Sequence, residues 1–102
     1  MSHMLLSTPL KQRITLIRAR LSVALSPITL EIYDNSAQHV NHDGVAAGGH
    51  YTVTVISSAF EGLTRIARHR LVYDALSDMM KHDIHALSIN SYTPKECNSS
   101  SR

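Results

Sequence analysis

The sequence is poor in the residues that cross-link or stiffen small domains. Its 102 residues include one cysteine, one phenylalanine, no tryptophan, four glycines and three prolines. A single cysteine cannot form a disulfide within the chain, and it excludes a metal site built from cysteines alone. The fold must therefore depend on an apolar core, and the 43% hydrophobic content is sufficient to supply one.

Long apolar runs and strong charge are also absent. No stretch approaches the ~20 apolar residues of a membrane helix, and no basic–apolar–small signal segment occurs, so we expect a cytoplasmic protein that does not bind membranes. The net charge of +2 is weak for a protein that coats DNA. The length fits one domain.

Histidine, in contrast, is abundant, with seven in the chain. The first lies in Met1-Ser2-His3-Met4, which resembles the remnant of a cloning tag, and we set it aside. His39 and His42 lie in a long segment, 34–49, that has no lysine or arginine. Connections of this length in a compact domain are usually functional or disordered.

The first element is predicted to be a helix that begins after a cap at Thr8-Pro9 and ends at Ser26-Pro27. Apolar residues recur there with the 3.6-residue helical period. The predicted buried face comprises Leu10, Ile14, Ile17, Leu21, Ala24 and Leu25. Three arginines are expected to face solvent: Arg13, Arg18 and Arg20.

Alternating apolar and polar residues predict strands over 28–33, 50–57 and 84–90. A Ser58-x-x-Glu61 capping box and a turn at Gly62 are expected to precede a helix over 63–81. The predicted apolar face of this helix comprises Ile66, Val72, Leu76, Met79 and Tyr73 or Met80.

Thr93-Pro94 again has the form of a helix cap and predicts a short final helix. The resulting α-β-β-α-β-α order predicts an α+β domain, in which helices cover one face of a three-stranded sheet. We expect this domain to span 8–97, with tails at 1–7 and 98–102, the second one disordered.

Three motifs in this order resemble those of the BolA family. They are Phe60-Glu61-Gly62, Arg68-His69-Arg70-Leu71-Val72-Tyr73 and Ile84-His85-Ala86-Leu87-Ser88-Ile89. Upstream residues agree as well: Leu30-Glu31, Ser36, His39 and Gly49-His50-Tyr51. The resemblance covers nearly the whole chain. It implies a fold like a class II KH domain, in agreement with the order of elements predicted from periodicity.

The resemblance implies a binding protein rather than an enzyme. Members of the family are partners of monothiol glutaredoxins, and the complex holds a [2Fe-2S] cluster through the glutaredoxin cysteine, glutathione and BolA histidines. No cofactor is then expected in the isolated protein. Bacterial members are also described as stress and morphology regulators that act on transcription. The resemblance leaves open whether the cluster is assembled, trafficked or sensed, and whether two copies of the chain form a homodimer.

His85 is the first candidate ligand. It opens the third predicted strand, where alternation places it on the same face as Leu87 and Ile89. Spacing alone favours a half-buried core histidine, but the resemblance identifies His85 with the invariant cluster ligand of the family. His39 is the second candidate, because the family places a histidine or cysteine ligand in the long loop. Two histidines on one iron form the Rieske arrangement, which raises the reduction potential.

The other histidines are weaker candidates. His42 lies close to His39 and is a substitute for it without support from a motif. His50 opens the second strand and is a secondary candidate that lines the same cleft. His69 is expected to be a packed residue of the long helix, and His82 a favourable charge at its C-terminal end.

A zinc site is the alternative metal hypothesis. His39-x-x-His42 and His82-x-x-His85 are close pairs, but zinc fingers usually mix cysteine with histidine, and zincins place H-E-x-x-H on one helix. Neither pair has a catalytic glutamate between its histidines. Cys97 lies near the chain end and is not assigned as a ligand. We therefore do not expect a native zinc site.

Nucleic-acid binding is the second functional hypothesis. A KH domain clamps nucleotides with a GXXG loop, which this chain lacks, and no lysine or arginine occurs between residues 28 and 62. A contact through one helix face remains, formed by Arg65, Arg68 and Arg70. Arg68 and Arg70 are expected to point outward, where they would serve equally well as a patch for docking a protein partner.

Overall fold

The computed structural model describes residues 10–36 and 49–100. The elements in these residues are α1 (Leu10–Leu25), β1 (Thr29–Asp34), β2 (Gly49–Ile56), α2 (Arg65–Ala75), β3 (Ile84–Tyr92) and α3 (Pro94–Ser100). Two single-turn 3-10 helices, Ser58–Phe60 and Met79–Lys81, precede and follow α2. The predicted α-β-β-α-β-α order is confirmed.

The strands form one three-stranded sheet in the order β1-β2-β3. β2 is central, since it pairs antiparallel with β1 and parallel with β3. A parallel pair requires a crossover connection, and the segment that contains α2 provides it. The first strand begins one residue later than predicted, and Ile28 before it is exposed. The third continues past its predicted end to Tyr92.

The core lies between one face of the sheet and the helices. Along β2, buried residues alternate with half-buried ones, so the predicted alternation is confirmed. The buried apolar residues are Ile17, Leu21, Leu25, Tyr51, Val53, Val55, Phe60, Val72, Leu76, Met79 and Ile84. Burial of a large apolar side chain stabilises a fold by about 1.5–3 kcal/mol relative to exposure. The helices therefore cover one sheet face, as predicted for an α+β domain.

α1 presents its predicted buried face only in part, because Ala24 is exposed. The expectation that Arg13 faces solvent is wrong, since this residue is only 8% exposed. Arg13 precedes the buried Ile17 by one helical turn, so it lies on the face that packs against the core. Its Nε is 3.6 Å from Oδ1 of the buried Asp83. Hydrophobic periodicity could not reveal a buried charge whose partner lies on another element.

α2 is shorter than the predicted helix over 63–81. Thr64 caps its N-terminus by accepting a hydrogen bond from the Ala67 N–H, and the helix ends at Ala75. The chain then turns before the 3-10 helix Met79–Lys81. One predicted continuous helix is therefore two short helical segments joined by a turn.

The predicted apolar face of this region is confirmed only in its second half. Val72, Leu76 and Met79 are buried, but Ile66 is 73% exposed. Ile66 lies in the first turn of α2, and that turn presents it to solvent.

The turn before α2 is held differently from the prediction. Ser58 and Glu61 do not form a capping box. Instead the hydroxyl of the buried Ser57 accepts a hydrogen bond from the Ala59 N–H and donates one to the Leu25 carbonyl. Gly62 has the positive φ of 79° that a turn of this kind favours in glycine, so the predicted turn there is confirmed.

The capping box of this chain lies at the start of α3. The Glu96 N–H donates to Thr93 Oγ1 at 3.1 Å, and the Thr93 N–H donates to the Glu96 carboxylate at 2.9 Å. This reciprocal pair satisfies two backbone donors at once. The predicted short final helix is confirmed, and it continues to Ser100, past the predicted domain end at residue 97.

Among the described residues, no helix has the length and apolar character needed to cross a membrane.

Candidate functional site

A β-bulge lies where β2 and β3 begin. Gly49 is paired with Ile84, but His50 is paired with Ala86, so His85 is an extra residue of β3. Beyond the bulge, regular pairing brings core-facing residues of the two strands opposite each other. A bulge changes the direction of the side chains that follow it.

The bulge overturns the predicted orientation of His85. Ile84 is buried and Leu87 and Ile89 pack against the core, while His85 between them is exposed. His85 therefore does not share a face with Leu87 and Ile89. Strict alternation fails here because one residue is inserted into the strand.

The exposed side chain of His85 lies beside that of His50. Their ring centroids are 5.1 Å apart, and the ring planes are inclined at 47°. His50 is half-buried. We call these two residues the histidine pair. Sequence reasoning treated His50 as a secondary candidate, but it is the histidine that the described structure brings next to His85.

The backbone of His50 is anchored to the end of β1. Its N–H donates to Ser36 Oγ at 2.9 Å, and its carbonyl accepts a hydrogen bond from the Asn35 N–H at 2.7 Å. The Thr52 hydroxyl donates to Asn35 Oδ1 at 2.6 Å. The Ser36 N–H in turn donates to an oxygen of Asp34. Short polar side chains thus fix the backbone that carries one member of the histidine pair.

His39 and His42, the predicted loop candidates, lie outside the described residues. Within residues 10–36 and 49–100, no group of three or more His, Cys, Asp or Glu side chains has the arrangement of a metal site. The described residues thus provide the two imidazoles of the histidine pair without a third ligand grouped beside them.

The ring separation of the histidine pair lies within the range of about 4.5–7 Å of ordinary contacts between aromatic rings, and it is also close to the separation of two imidazoles on one metal. Two imidazoles that bind one tetrahedral metal through bonds of about 2.0–2.1 Å have ring centres about 5 Å apart. The observed 5.1 Å agrees with this value. Imidazole nitrogens suit iron and zinc among other metals. The described residues thus place two imidazole side chains close together where β2 and β3 begin.

Three buried polar side chains lie on the core side of the same sheet end, and sequence reasoning assigned none of them to the site. They are Arg13, Tyr51 and Asp83. Burial raises the pKa of the Tyr51 hydroxyl above its ordinary value, and a hydrogen bond with Arg13 opposes this shift. The position of Asp83 directly before an apolar strand is visible in the sequence. Nothing in the sequence indicates that Arg13 is its partner.

The three arginines predicted to form a patch have different surroundings. Arg65 and Arg70 are exposed on α2. The side chain of Arg68 is only 12% exposed, so the expectation that it points outward is wrong. It forms a bidentate pair with Glu96 at 2.7 and 2.8 Å and also donates to the carbonyls of Leu63 and Ser91. Its nearest partners are thus groups of its own chain.

The remaining candidates belong to other elements than the two strands that carry the histidine pair. His69 is half-buried on α2, and His82 is exposed at the end of the second 3-10 helix. Cys97 is half-buried on α3 and forms no disulfide.

Comparison with known proteins gives consistent matches. The family model described as BolA-like protein matches residues 21–96. BolA-like protein 1 of Mus musculus is 45% identical over 82 residues, which cover 78% of this chain and 57% of that protein. The protein of Vibrio cholerae named DNA-binding transcriptional regulator BolA is 40% identical over 80 residues, covering 78% and 74%. The chain spans between 23% and 59% of the lengths of three curated relatives, two of them plant proteins.

Solved structures give the same result. BolA1 from Arabidopsis thaliana matches with a TM-score of 0.74 and 39% sequence identity, covering 82% of this chain and 94% of that one.

Proposed function

This chain belongs to the BolA-like protein family, and we propose that it acts as the partner of a monothiol glutaredoxin, with which it shares a [2Fe-2S] cluster. Its own contribution is histidine ligands, and the glutaredoxin supplies a cysteine together with glutathione. The complex of the two proteins assembles, traffics or senses iron–sulfur clusters. The proposal assigns no catalytic residue to this chain.

The observation that supports the proposal is the histidine pair. Two imidazoles lie 5.1 Å apart at an end of the sheet, and His85 is exposed. A partner can approach such a site and complete the ligand set from outside. Because one chain has a single cysteine, sulfur ligands for a cluster must come largely from the partner.

His85 is the ligand proposed first, and His39 remains the second. His50 and His42 are the secondary choices, and the position of His50 beside His85 makes it the leading one of these two. When bound, a [2Fe-2S] cluster with two histidines on one iron carries one electron at a higher potential than an all-cysteine cluster. The residues of this chain hold neutral imidazole nitrogens toward it, so acid is expected to release the cluster.

The test is co-purification with a monothiol glutaredoxin under anaerobic conditions. We expect the mixture to show a visible charge-transfer and circular-dichroism spectrum different from that of the glutaredoxin alone. His85→Ala is expected to abolish the difference. The matched control is His82→Ala, which removes an exposed histidine close in sequence and is expected to leave the spectrum intact. An unchanged spectrum with His85→Ala would refute the proposal.

The second ligand can be identified in the same assay. His39→Ala, His42→Ala and His50→Ala are compared for cluster lifetime, and the ligand is the histidine whose loss shortens the lifetime most. Native mass spectrometry of the same samples distinguishes a complex with glutaredoxin from a homodimer of this chain.

DNA binding is a second candidate, supported by a relative and by two exposed side chains. The Vibrio cholerae relative is named a DNA-binding transcriptional regulator. Arg65 and Arg70 are exposed on α2, whereas Arg68 is engaged with Glu96. Arg65 and Arg70 are therefore the arginines of α2 that we expect to contact phosphate.

Fluorescence anisotropy with labelled DNA duplexes tests this candidate. Each phosphate neutralised contributes about −0.9 to the slope of log K against log salt. Replacing Arg65 and Arg70 with alanine is expected to reduce the slope by up to about 2, and Lys95→Ala on α3 is the control. Binding that does not depend on salt would refute DNA binding through these arginines.

A further inference from the structure

Three buried polar side chains from separate parts of the chain meet on the core side of the histidine pair. Arg13 comes from α1, Tyr51 from β2, and Asp83 from the turn before β3. Arg13 forms an ion pair with Asp83, and it lies close enough to the Tyr51 hydroxyl to lower the pKa of that group. We call these three residues the buried network. Because a buried charge is costly unless it is paired, the three groups depend on one another.

The buried network is joined to the bulge through Gly49. The ring of Tyr51 lies so close to Gly49 that a Cβ at this residue would be 2.6 Å from the ring carbon Cε2. The Gly49 N–H donates to the Asp83 carbonyl at 2.9 Å. Network residues therefore hold the backbone of β2 and of β3 at the point where the two strands begin.

The members of the histidine pair follow directly from these held positions. His50 lies between Gly49 and Tyr51, and His85 lies two residues after Asp83. A bulge disrupts the ladder of hydrogen bonds, so its backbone needs other restraints to keep one geometry. Metal ligands must be held within about 0.5 Å of their productive positions, which is the task of residues behind them.

From this arrangement we infer that Arg13, Tyr51 and Asp83 are positioning residues, which hold the two imidazoles of His50 and His85 at the separation that metal binding requires. The inference rests on the proposed function for its metal and takes His50, the secondary candidate, as a ligand beside His85, but the ring separation is a property of the free protein. None of the three residues touches the metal.

The first test measures ring proximity in the free protein by NMR. The wild-type protein is expected to show nuclear Overhauser contacts between the ring protons of His50 and His85. Asp83→Asn removes the carboxylate charge that faces the buried Arg13 and is expected to weaken these contacts at least twofold. The matched control is Asp78→Asn, which breaks the exposed ion pair that Arg20 of the same helix forms at 2.6 Å. The control is expected to keep the contacts.

The second test uses Zn²⁺ alone as the probe, titrated into the isolated protein. Changes in residues behind metal ligands usually weaken affinity by about 10–100-fold, and we expect a loss in this range for Asp83→Asn. His85→Ala should weaken binding at least as much, and Asp78→Asn should not change it. Tyr51→Phe keeps the ring against Gly49 and is expected to have the smallest effect among variants of the network.

A double variant separates positioning from a purely structural role. Arg13→Met combined with Asp83→Asn removes both charges, so it leaves no unpaired charge and is expected to recover most of the stability lost by Asp83→Asn. Positioning predicts that the weak ring contacts and weak Zn²⁺ binding persist. Recovery of stability, ring contacts and affinity together would overturn the inference.

The two proposals fail in different ways. If His85→Ala abolishes the shared cluster while Asp83→Asn changes neither ring contacts nor Zn²⁺ affinity, the proposed function stands and the positioning role is wrong. If Asp83→Asn changes both readouts while His85→Ala leaves the cluster spectrum unchanged, the glutaredoxin function is wrong and the positioning role stands.

Discussion

The two ends of β3 differ in what their polar groups do. At its late end, at Ser91 and Tyr92, the strand accepts hydrogen bonds from other parts of the chain. At its early end, a bulge turns an imidazole outward beside a second imidazole. The late end of the strand is thus occupied by hydrogen bonds within the chain, whereas the early end carries the exposed His85 beside a second imidazole.

The late end is a dense set of hydrogen bonds. Arg68 binds both oxygens of Glu96 and the carbonyl of Ser91, and Glu96 also belongs to the capping box of α3. The Ser57 N–H donates to the carbonyl of Tyr92. Bidentate arginine–carboxylate pairs are among the stronger polar contacts in proteins. This end therefore contributes to stability rather than to binding.

The early end has an exposed histidine, His85, and a buried pair of opposite charges. The ion pair of Arg13 and Asp83 is buried, whereas His50 alternates with the buried residues of β2 and His85 is exposed. A buried ion pair is weak evidence for stability, because desolvation offsets much of the attraction. The positioning role that we infer for this pair would make it matter for the geometry of the bulge rather than for stability.

The comparison predicts the largest loss of stability at the late end, for Phe60→Ala. Phe60 is fully buried, and the guanidinium carbon of Arg68 lies 5.9 Å from its ring centroid. We expect a fall of about 3–5 kcal/mol in the free energy of unfolding, measured with urea. Ile66→Ala removes an exposed side chain and should change stability by less than about 0.5 kcal/mol. Equal effects would contradict the assigned core.

Gly49→Ala is expected to have the next largest effect, at the early end. The new Cβ would displace the Tyr51 ring, at a cost of about 1–3 kcal/mol, and should alter the ring signals of His50 and His85 in NMR spectra. Gly62→Ala is the comparison variant. It strains a left-handed residue by about 1–2 kcal/mol in open space and should leave the histidine signals unchanged. Identical spectra for the two variants would count against the coupling of Gly49 to the histidine pair.

A smaller effect, confined to acid, is expected for the contact between Arg68 and Glu96. The hydrogen bond from Arg68 and a second from the Thr93 backbone lower the pKa of Glu96 from 4.5 to about 2. A carboxyl whose pKa is depressed by folding stabilises the fold above the unfolded value and loses this contribution as pH falls toward the folded value. The contribution is therefore complete above pH 5 and disappears toward pH 2.

The check is the difference in melting temperature between the wild type and Glu96→Gln, followed from pH 7 to pH 2. The difference should narrow below pH 5. Glu61→Gln, which changes an exposed glutamate, should show no such narrowing. A difference that stays constant down to pH 2 would show that Glu96 does not titrate with a lowered pKa.

The smallest effect on stability is expected for His85→Ala. The side chain is exposed, and surface substitutions usually change stability by less than about 0.5 kcal/mol. Urea unfolding of this variant beside Phe60→Ala would show the contrast between the two ends of β3 directly. A loss above about 1 kcal/mol would mean that His85 helps to hold the fold together.

Elements that depend on apolar periodicity could be predicted from the sequence. The alternation along β2 and the buried stripe of α1 are direct consequences of which residues leave water. The capped final helix was predicted from Thr93 and Pro94, although the partner that completes the cap, Glu96, was missed. Apolar periodicity indicates which apolar side chains are buried, but it does not indicate which groups the polar side chains bind.

The errors occur where partners from distant elements decide the outcome. Arg13 and Arg68 were expected in solvent, but a carboxylate on another element binds each of them. No sequence pattern near either arginine predicts an ion pair with a residue on a distant element. His85 was placed on the wrong face because a single inserted residue reverses alternation, and the insertion is visible only in the pairing of β2 with β3.

The candidate site was predicted in part. His85 and His50 were both named, but their proximity depends on the parallel pairing of strands separated by all of α2. His39 and His42 stay predictions. The buried network was missed entirely, since its residues belong to three different parts of the chain.

The shared use of Glu96 couples the last helix to the rest of the domain. α3 has seven residues, too few to persist as an isolated helix in water. Its capping carboxylate also forms an ion pair with Arg68 on α2, so the start of α3 cannot unfold without freeing a half-buried guanidinium. Amide hydrogens of α3 are therefore expected to exchange with solvent in one cooperative unit with α2, and Glu96→Gln should release α3 to exchange by local opening.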